Sequence, residues 1–234
     1  MKAILLAAGH GTRLRPLTNT IPKCLVPING QPLLDIWLQN LVNSGVNEIL
    51  INTHYLAERV YDYISKSKFK EFVLLKEEKE LLGTAGTLLK NISFLDNEGG
   101  LLIHADNLCL SNLNNFYNSH YNRPSECIMT MMTFITENPS NCGVVGIDER
   151  GIVKEFYEKI ENPPTNIANG AIYFLSKEFL NRLKKMKNLN DFSLDIIPKF
   201  IGKIYTSKSD GVLIDIGTSE AYKKANKIIS KYSS

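Results

Sequence analysis

The first apolar residues, Ala3 to Ala8, form an unbroken run that stops at Gly9 and Gly11. That pattern predicts a buried first strand over Lys2–Ala7. Pro32 suits a first helical turn, and Leu34, Trp37, Leu38 and Leu41 recur at i, i+3, i+4 and i+7, one face of a helix closed by Gly45. Glu48–Thr53 predicts a second strand, Leu56–Ser67 a second helix and Phe72–Leu75 a third strand. Leu82–Thr87 reads as turn-rich, and Leu101–His104 as a fourth strand ending at Ala105-Asp106-Asn107. Strand, helix and strand at such short spacing argue for parallel βαβ units in an α/β fold.

The second half changes character. Cys127–Phe134 is β-prone, and Val144–Ile147 with Val153–Phe156 flank Asp148-Glu149-Arg150-Gly151, a hairpin signature. Ala171–Leu175 and Val212–Ile214 read as strands, and Glu178–Met186 as a basic-faced helix. Ala221, Ala225, Ile228, Ile229 and Tyr232 outline a last amphipathic helix that Thr218 or Ser219 is placed to cap. With no repeat, low-complexity tract or linker, one domain over residues 1–234 is expected.

Charge and composition narrow the class. Against 27 Lys and Arg stand 24 Asp and Glu, a net +3, and 44% of the 234 residues are hydrophobic. This is a globular composition with no basic block that would imply nucleic acid. The six-residue run at the start falls far short of the roughly 20 residues of a membrane span and lacks the flanks of a signal peptide. Cys24, Cys109, Cys127 and Cys142 show no metal-type spacing, so free thiols and a cytoplasmic address are expected. Cys24 reads as a small buried hydrophobe. His54, His104 and His120 read as structural, Met129, Met131 and Met132 as strand core, and Lys184, Lys185 and Lys187 as a solvated helix face.

Two segments carry chemistry. Residues 8–31 are rich in Gly, Pro, Thr and Asn, long for a loop in a compact domain and therefore expected to be functional. At its start, Ala7-Ala8-Gly9-His10-Gly11-Thr12-Arg13-Leu14 follows the first strand directly. A Gly-rich turn there exposes backbone N–H groups to an anion, and Arg13 adds a planar fork for phosphate oxygens. It is neither a dinucleotide fingerprint, which needs a glycine where Leu14 stands, nor a P-loop, which needs Gly-Lys-Ser/Thr. The second segment is Pro22-Lys23-Cys24-Leu25-Val26-Pro27-Ile28, whose prolines stiffen the backbone around Lys23 and suit it to hold another phosphate.

These two motifs, with Leu82-Gly83-Thr84-Ala85-Gly86, Ala105-Asp106-Asn107, Glu158-Lys159, Ala168-Asn169-Gly170-Ala171 and Asp215-Ile216-Gly217-Thr218, resemble the sugar-1-phosphate nucleotidyltransferase family along nearly the whole chain. The resemblance implies a Rossmann-like three-layer α/β sandwich with a mixed, mostly parallel sheet. It also implies the reaction NTP + sugar 1-phosphate → NDP-sugar + pyrophosphate, with Mg²⁺, in nucleotide-sugar biosynthesis. By the same resemblance Ala7, Ala8 and Gly9 line base and ribose, and Gly11, Thr12 and Arg13 hold the triphosphate. Lys23 bridges phosphates beside the reacting phosphorus. Gly83, Thr84 and Gly86 touch base or sugar, and Glu78 or Glu80 reads the base edge. Asp106 and Asp215 ligate the metal. Asn107, Glu158, Asn169 and Gly170 meet the sugar, and Lys159 its phosphate.

Three positions depart from the family pattern: Ala105 before the metal aspartate, Ile160 after Glu158-Lys159, and Leu213 two residues before Asp215. They leave the sugar open. GTP with mannose or manno-heptose 1-phosphate is the first expectation, with uridylyl, thymidylyl or cytidylyl transfer as alternatives. A non-catalytic sugar-nucleotide sensor is a further alternative, opposed by the presence of Arg13, Lys23, Asp106 and Asp215 together. A C-terminal left-handed β-helix is not expected, and a homodimer is what the resemblance implies.

Overall fold

The computed structural model describes residues 1–95 and 98–232. In chain order the strands and α-helices are β1 (Lys2–Leu6), β2 (Pro27–Ile28), β3 (Gln31–Pro32), α1 (Leu33–Asn43), β4 (Glu48–Thr53), α2 (Ala57–Lys66), β5 (Val73–Glu77), α3 (Gly83–Lys90), α4 (Ile92–Leu95), β6 (Gly100–His104) and β7 (Asn107–Cys109). They continue as α5 (Leu113–Tyr121), β8 (Met129–Ile135), β9 (Gly143–Ile147), β10 (Val153–Glu158), β11 (Ile167–Leu175), α6 (Lys177–Leu183), β12 (Ile204–Lys208), β13 (Leu213–Asp215) and α7 (Ser219–Tyr232). The chain forms two compact units that alternate along the sequence. One comprises residues 1–81, 104–111 and 211–234, the other residues 82–103 and 112–210.

In the first unit β1, β4 and β5 pair in parallel, with Ile4 opposite Leu50 and Ile51 opposite Leu75. Continuous apolar runs such as Ala3–Leu5 and Ile49–Ile51 are fully buried, as a strand covered on both faces requires. The predicted stripe of α1 buries Leu34, Trp37, Leu38 and Leu41 together with Leu33. Trp37 also donates its indole N–H to the Asn107 carbonyl at 2.7 Å, which satisfies a buried polar atom. Part of the expected loop is a hairpin. Asn29 and Gly30 both take positive φ and join β2 to β3, the usual chemistry of a two-residue turn. Thr218 caps α7, its hydroxyl accepting from Ala221 N–H at 3.2 Å.

In the second unit β11 is central, antiparallel to β8, β9 and β6, while β10 pairs antiparallel to β9 and β12 parallel to β8. The expected hairpin is β9–β10. Met129, Met131 and Met132 are buried strand residues, and Tyr173 packs at 4.5 Å on Phe192 within the core. Leu82–Thr87 differs from its turn reading: Gly83 opens α3, because Ala85, Thr87 and Leu88 bury one face and tertiary packing outweighs weak local propensity. Helix α5 is hidden in the sequence by its asparagines. Leu113, Phe116 and His120 nevertheless bury one side, and Asn112 caps it by accepting from Asn114 N–H at 2.9 Å.

Candidate functional site

Within the first unit the Gly-rich loop leaves β1 at the carboxyl ends of the parallel strands. Gly11 takes φ +62, and a Cβ there would press on Thr18 at 3.0 Å, so only glycine fits without strain. Thr18 donates its hydroxyl to the Gly11 carbonyl at 2.7 Å, and Leu14, in the following single 3₁₀ turn, is buried. The turn is thereby fixed at both ends, while Thr12 and Arg13 remain exposed beside it. Tyr55 donates to the carbonyls of Thr18 and Asn19, which braces the next turn. His10 lies ring-to-ring with His54 and Tyr55, at 5.6 and 5.3 Å between centroids.

Lys23 sits in a third short turn, where Leu25 N–H donates to the Pro22 carbonyl at 2.8 Å. The side chain is almost entirely buried, and its Nζ donates to Asp106 Oδ2 at 2.6 Å while lying 3.7 Å from Asp215 Oδ1. Two carboxylates therefore share one ammonium. Being 2.6 and 3.7 Å from the same nitrogen, the two oxygens lie within the sum of those distances, 6.3 Å, of each other. A two-stranded ladder brings these residues together from opposite ends of the sequence: Asn107 of β7 pairs with Asp215 of β13, and Ile216 N–H donates to the Asp106 carbonyl at 3.0 Å.

The electrostatics follow from this crowding. Burial opposes the Asp106 charge, but Lys23, His104 and the Lys23 hydrogen bond outweigh it and hold the carboxyl below the usual range. Asp215 is pushed up, first by lost hydration and then by the Asp106 charge, against the pull of Lys23 and Arg13. Arg13 Nη2 and the Asp215 oxygens all crowd Gly217, where a Cβ would lie 2.9 and 3.0 Å from them. Arg13, Lys23, Asp106 and Asp215 thus converge as expected. Cys24 is buried, and burial pushes its thiol up to about 12, so it is an inert hydrophobe.

Gly83, Thr84, Gly86, Glu158, Lys159, Asn169 and Gly170 lie in the second unit and are less free than their motifs suggest. Gly83 takes φ +71, and a Cβ would overlap the Asn190 carbonyl. Ala85 N–H donates to that carbonyl at 2.9 Å, and the Thr84 hydroxyl accepts from Phe192 N–H at 2.7 Å. The Gly-Thr-Ala-Gly segment is therefore stitched to residues 190–192. Asn169 accepts from Ala171 N–H at 2.9 Å and donates to the Tyr173 hydroxyl at 2.7 Å, which holds a bulge in β11 where Ala171 takes φ +52. Glu158 and Lys159 form an ion pair of 3.3 Å, and Lys159 is left-handed at φ +50, an uncommon backbone state for a side chain of this kind. Asn107 is buried within the first unit.

Sequence reasoning missed Asn52. Its Oδ1 accepts from Ala7 N–H at 2.8 Å and its Nδ2 donates to Glu78 Oε1 at 3.0 Å. Glu78 is buried with its carboxylate turned to this amide. Nothing in the pattern of β4 separates Asn52 from an ordinary strand-end residue. His54 bonds the Glu78 carbonyl through Nδ1 at 2.8 Å, and His120 stacks on Phe174 at 3.9 Å, so both serve the fold. Among the described residues no three or more His, Cys, Asp or Glu side chains gather as a metal cluster, and no helix is long and apolar enough to cross a membrane.

The chain is 32% identical over 250 residues to the glucose-1-phosphate adenylyltransferase of Thermotoga neapolitana, covering 96% of this chain and 59% of that protein. It is 30% identical over 222 residues to the mannose-1-phosphate guanylyltransferase catalytic subunit beta of Drosophila melanogaster, covering 92% and 59%. The chain spans about three fifths of the length of the curated relatives it matches. The crystal structure of HddC from Yersinia pseudotuberculosis, complexed with GMP-PN, superposes with a TM-score of 0.81 at 27% identity, covering 97% of this chain and 99% of that one. The profile of the Nucleotidyl transferase family matches residues 2–232. With the fold shared and the match running from the first strand to the last helix, this chain belongs to the nucleotidyl transferase family.

Proposed function

We propose that the protein transfers a nucleotidyl group from a nucleoside triphosphate to a sugar 1-phosphate, releasing pyrophosphate. The observation that carries this is Lys23, held between Asp106 and Asp215 at the foot of the Gly-rich loop, with Arg13 beside Asp215. Transfer to a phosphate oxygen needs little covalent help, because the acceptor is already an anion. Catalysis then consists of alignment and charge neutralisation. Ala7, Ala8 and Gly9 line base and ribose, the backbone amides of Gly11 and Thr12 and the Arg13 fork bind the triphosphate, and Lys23 neutralises the phosphates that react. No protein nucleophile is required.

The donor set suits Mg²⁺. Two hard carboxylates already share one ammonium, and Asp215 is held against its own electrostatics. Asp106 and Asp215 would hold the ion, which when bound neutralises phosphate charge. Glu158, Lys159, Asn169 and Gly170 are assigned to the sugar phosphate. The backbone of Gly83, Thr84 and Gly86 is assigned to base or sugar.

GTP with mannose or manno-heptose 1-phosphate is the preferred pair, supported by the guanylyltransferase relative and the GMP-PN complex. The Thermotoga relative favours ATP with glucose 1-phosphate as the second reading. Pyrophosphate release measured for ATP, GTP, CTP, UTP and dTTP against a panel of sugar 1-phosphates tests both. Silence with every pair overturns the transferase reading, and turnover confined to ATP overturns the preferred substrates.

A further inference from the structure

We propose that Asn52 is a positioning residue for the nucleotide loop, its carboxamide tying the first amide of that loop to a buried carboxylate; the inference rests on reading residues 7–13 as the nucleotide-binding segment. The β1–β4 ladder ends at the pair Leu6 and Asn52, and the next amide, Ala7, has left the strand. Asn52 Oδ1 takes that amide at 2.8 Å, and Nδ2 reaches Glu78 Oε1 just beyond β5 at 3.0 Å. Both residues are 3% exposed. Glu78 is itself seated by backbone, its N–H donating to the Thr53 carbonyl at 2.8 Å and its carbonyl bonding His54 Nδ1 at 2.8 Å. One side chain therefore fastens three strand ends at the point where the loop begins.

A carboxamide is the group for this work because it presents an acceptor and a donor together. Aspartate lacks the donor and leucine lacks both. Loss of the clamp frees Ala7 to Gly9, whereas Gly11 stays held by Thr18 and Lys23 by its own turn. The defect should therefore fall on nucleotide placement and spare the fold.

Asn52→Asp supplies a diagnostic. It sets a second carboxylate against Glu78, and two such groups so close cannot both ionise readily, so one takes up a proton as pH falls. The shared proton restores the donor, and the introduced carboxyl group still accepts from Ala7. Other charged or titratable groups near this point include His54 just after β4, His10 from the loop, Lys76 and Glu77 on β5, and Lys79 and Glu80 directly after Glu78. They are present in the wild type as well, which makes its pH profile the reference.

The experiment combines deuterium uptake of a peptide covering residues 7–14 with pyrophosphate-release kinetics from pH 6 to 8.5. Asn52→Leu should speed uptake and raise the NTP KM by about tenfold, the scale of a lost buried hydrogen bond, and change the sugar 1-phosphate KM by less than about threefold. Asn52→Asp should show both defects at pH 8.5 and lose most of them at pH 6. Adding Glu78→Gln to Asn52→Asp, which places one carboxylate opposite one amide again, should abolish that pH dependence and slow uptake. Unchanged uptake in Asn52→Leu, or an Asn52→Asp profile parallel to wild type, would overturn the clamp. Should Asn52→Leu fail to fold, the two aspartate variants decide alone. Should the wild type turn over no substrate pair, the proposed function falls and the uptake data still decide the clamp.

Discussion

Replacing Asp215 with asparagine asks whether this carboxylate is kept for chemistry or for stability. Its Oδ1 lies 3.7 Å from Lys23 Nζ and within 6.3 Å of Asp106 Oδ2. At these separations attraction to Lys23 is about 1 kcal/mol in water and repulsion from Asp106 at least about 0.7 kcal/mol, each about fourfold larger at the effective dielectric of a protein surface. With 56% of the Asp215 side chain accessible, the aqueous end of that range applies. The two contributions nearly cancel, and lost hydration disfavours the charge. Asp215→Asn should therefore leave the metal-free protein as stable as before or raise it by up to about 1 kcal/mol, about 2–4 °C in Tm for a chain of this size. On the proposal that Asp215 holds Mg²⁺, turnover should fall at least about 100-fold, since a lost metal ligand would forfeit several kcal/mol of charge stabilisation in the transition state. Calorimetry with and without Mg²⁺, beside pyrophosphate release at saturating substrates, reads both. A Tm lowered by more than about 4 °C with turnover retained would make Asp215 a structural partner of Lys23 and refute the reasoning.

Arg13→Ala should cut kcat/KM for the nucleotide about tenfold to a hundredfold, one charge-assisted phosphate contact, and unchanged kinetics at subsaturating NTP would remove Arg13 from the site. Lys159→Ala should raise the KM for sugar 1-phosphate more than that for NTP; the opposite order would show that the sugar assignment is wrong. Gly83→Ala should destabilise by at least about 2 kcal/mol, from the left-handed φ of +71 and the overlap with Asn190, and a Tm within about 2 °C of wild type would contradict this. His120 is held down to about 3, first by burial and then by Arg123, so it protonates in the unfolded chain near pH 6.5 but stays neutral in the fold. Its contribution is complete above about pH 6.5 and shrinks by up to about 1.4 kcal/mol per unit as pH falls toward 3. Urea melts between pH 6.5 and 4.5 should show a shallower slope for His120→Gln, and identical slopes would refute the assignment.

Local pattern alone carried much of this molecule. The apolar run before Gly9, the i, i+3, i+4, i+7 stripe of α1 and the six residues of β4 lie where periodicity puts them, because each reports a face that must leave water. The Gly-rich turn was legible for a similar reason: Gly11 and Arg13 are neighbours, and the turn is made by contacts within a few residues. The 83–87 segment and α5 were not, since glycine and asparagine lower local helix propensity and only packing reveals the face that is buried. Tertiary structure supplied the rest. Asp106 and Asp215 stand 109 positions apart and meet because β7 and β13 pair, which no spacing rule encodes. Asn169 and Thr84, which the motifs assign to substrate, each spend polar atoms on the backbone of their own unit, and Asn52, in no motif, holds the loop. A side chain's type is fixed by sequence, but which atom it faces depends on segments remote in the chain, and that decided which side chains meet here.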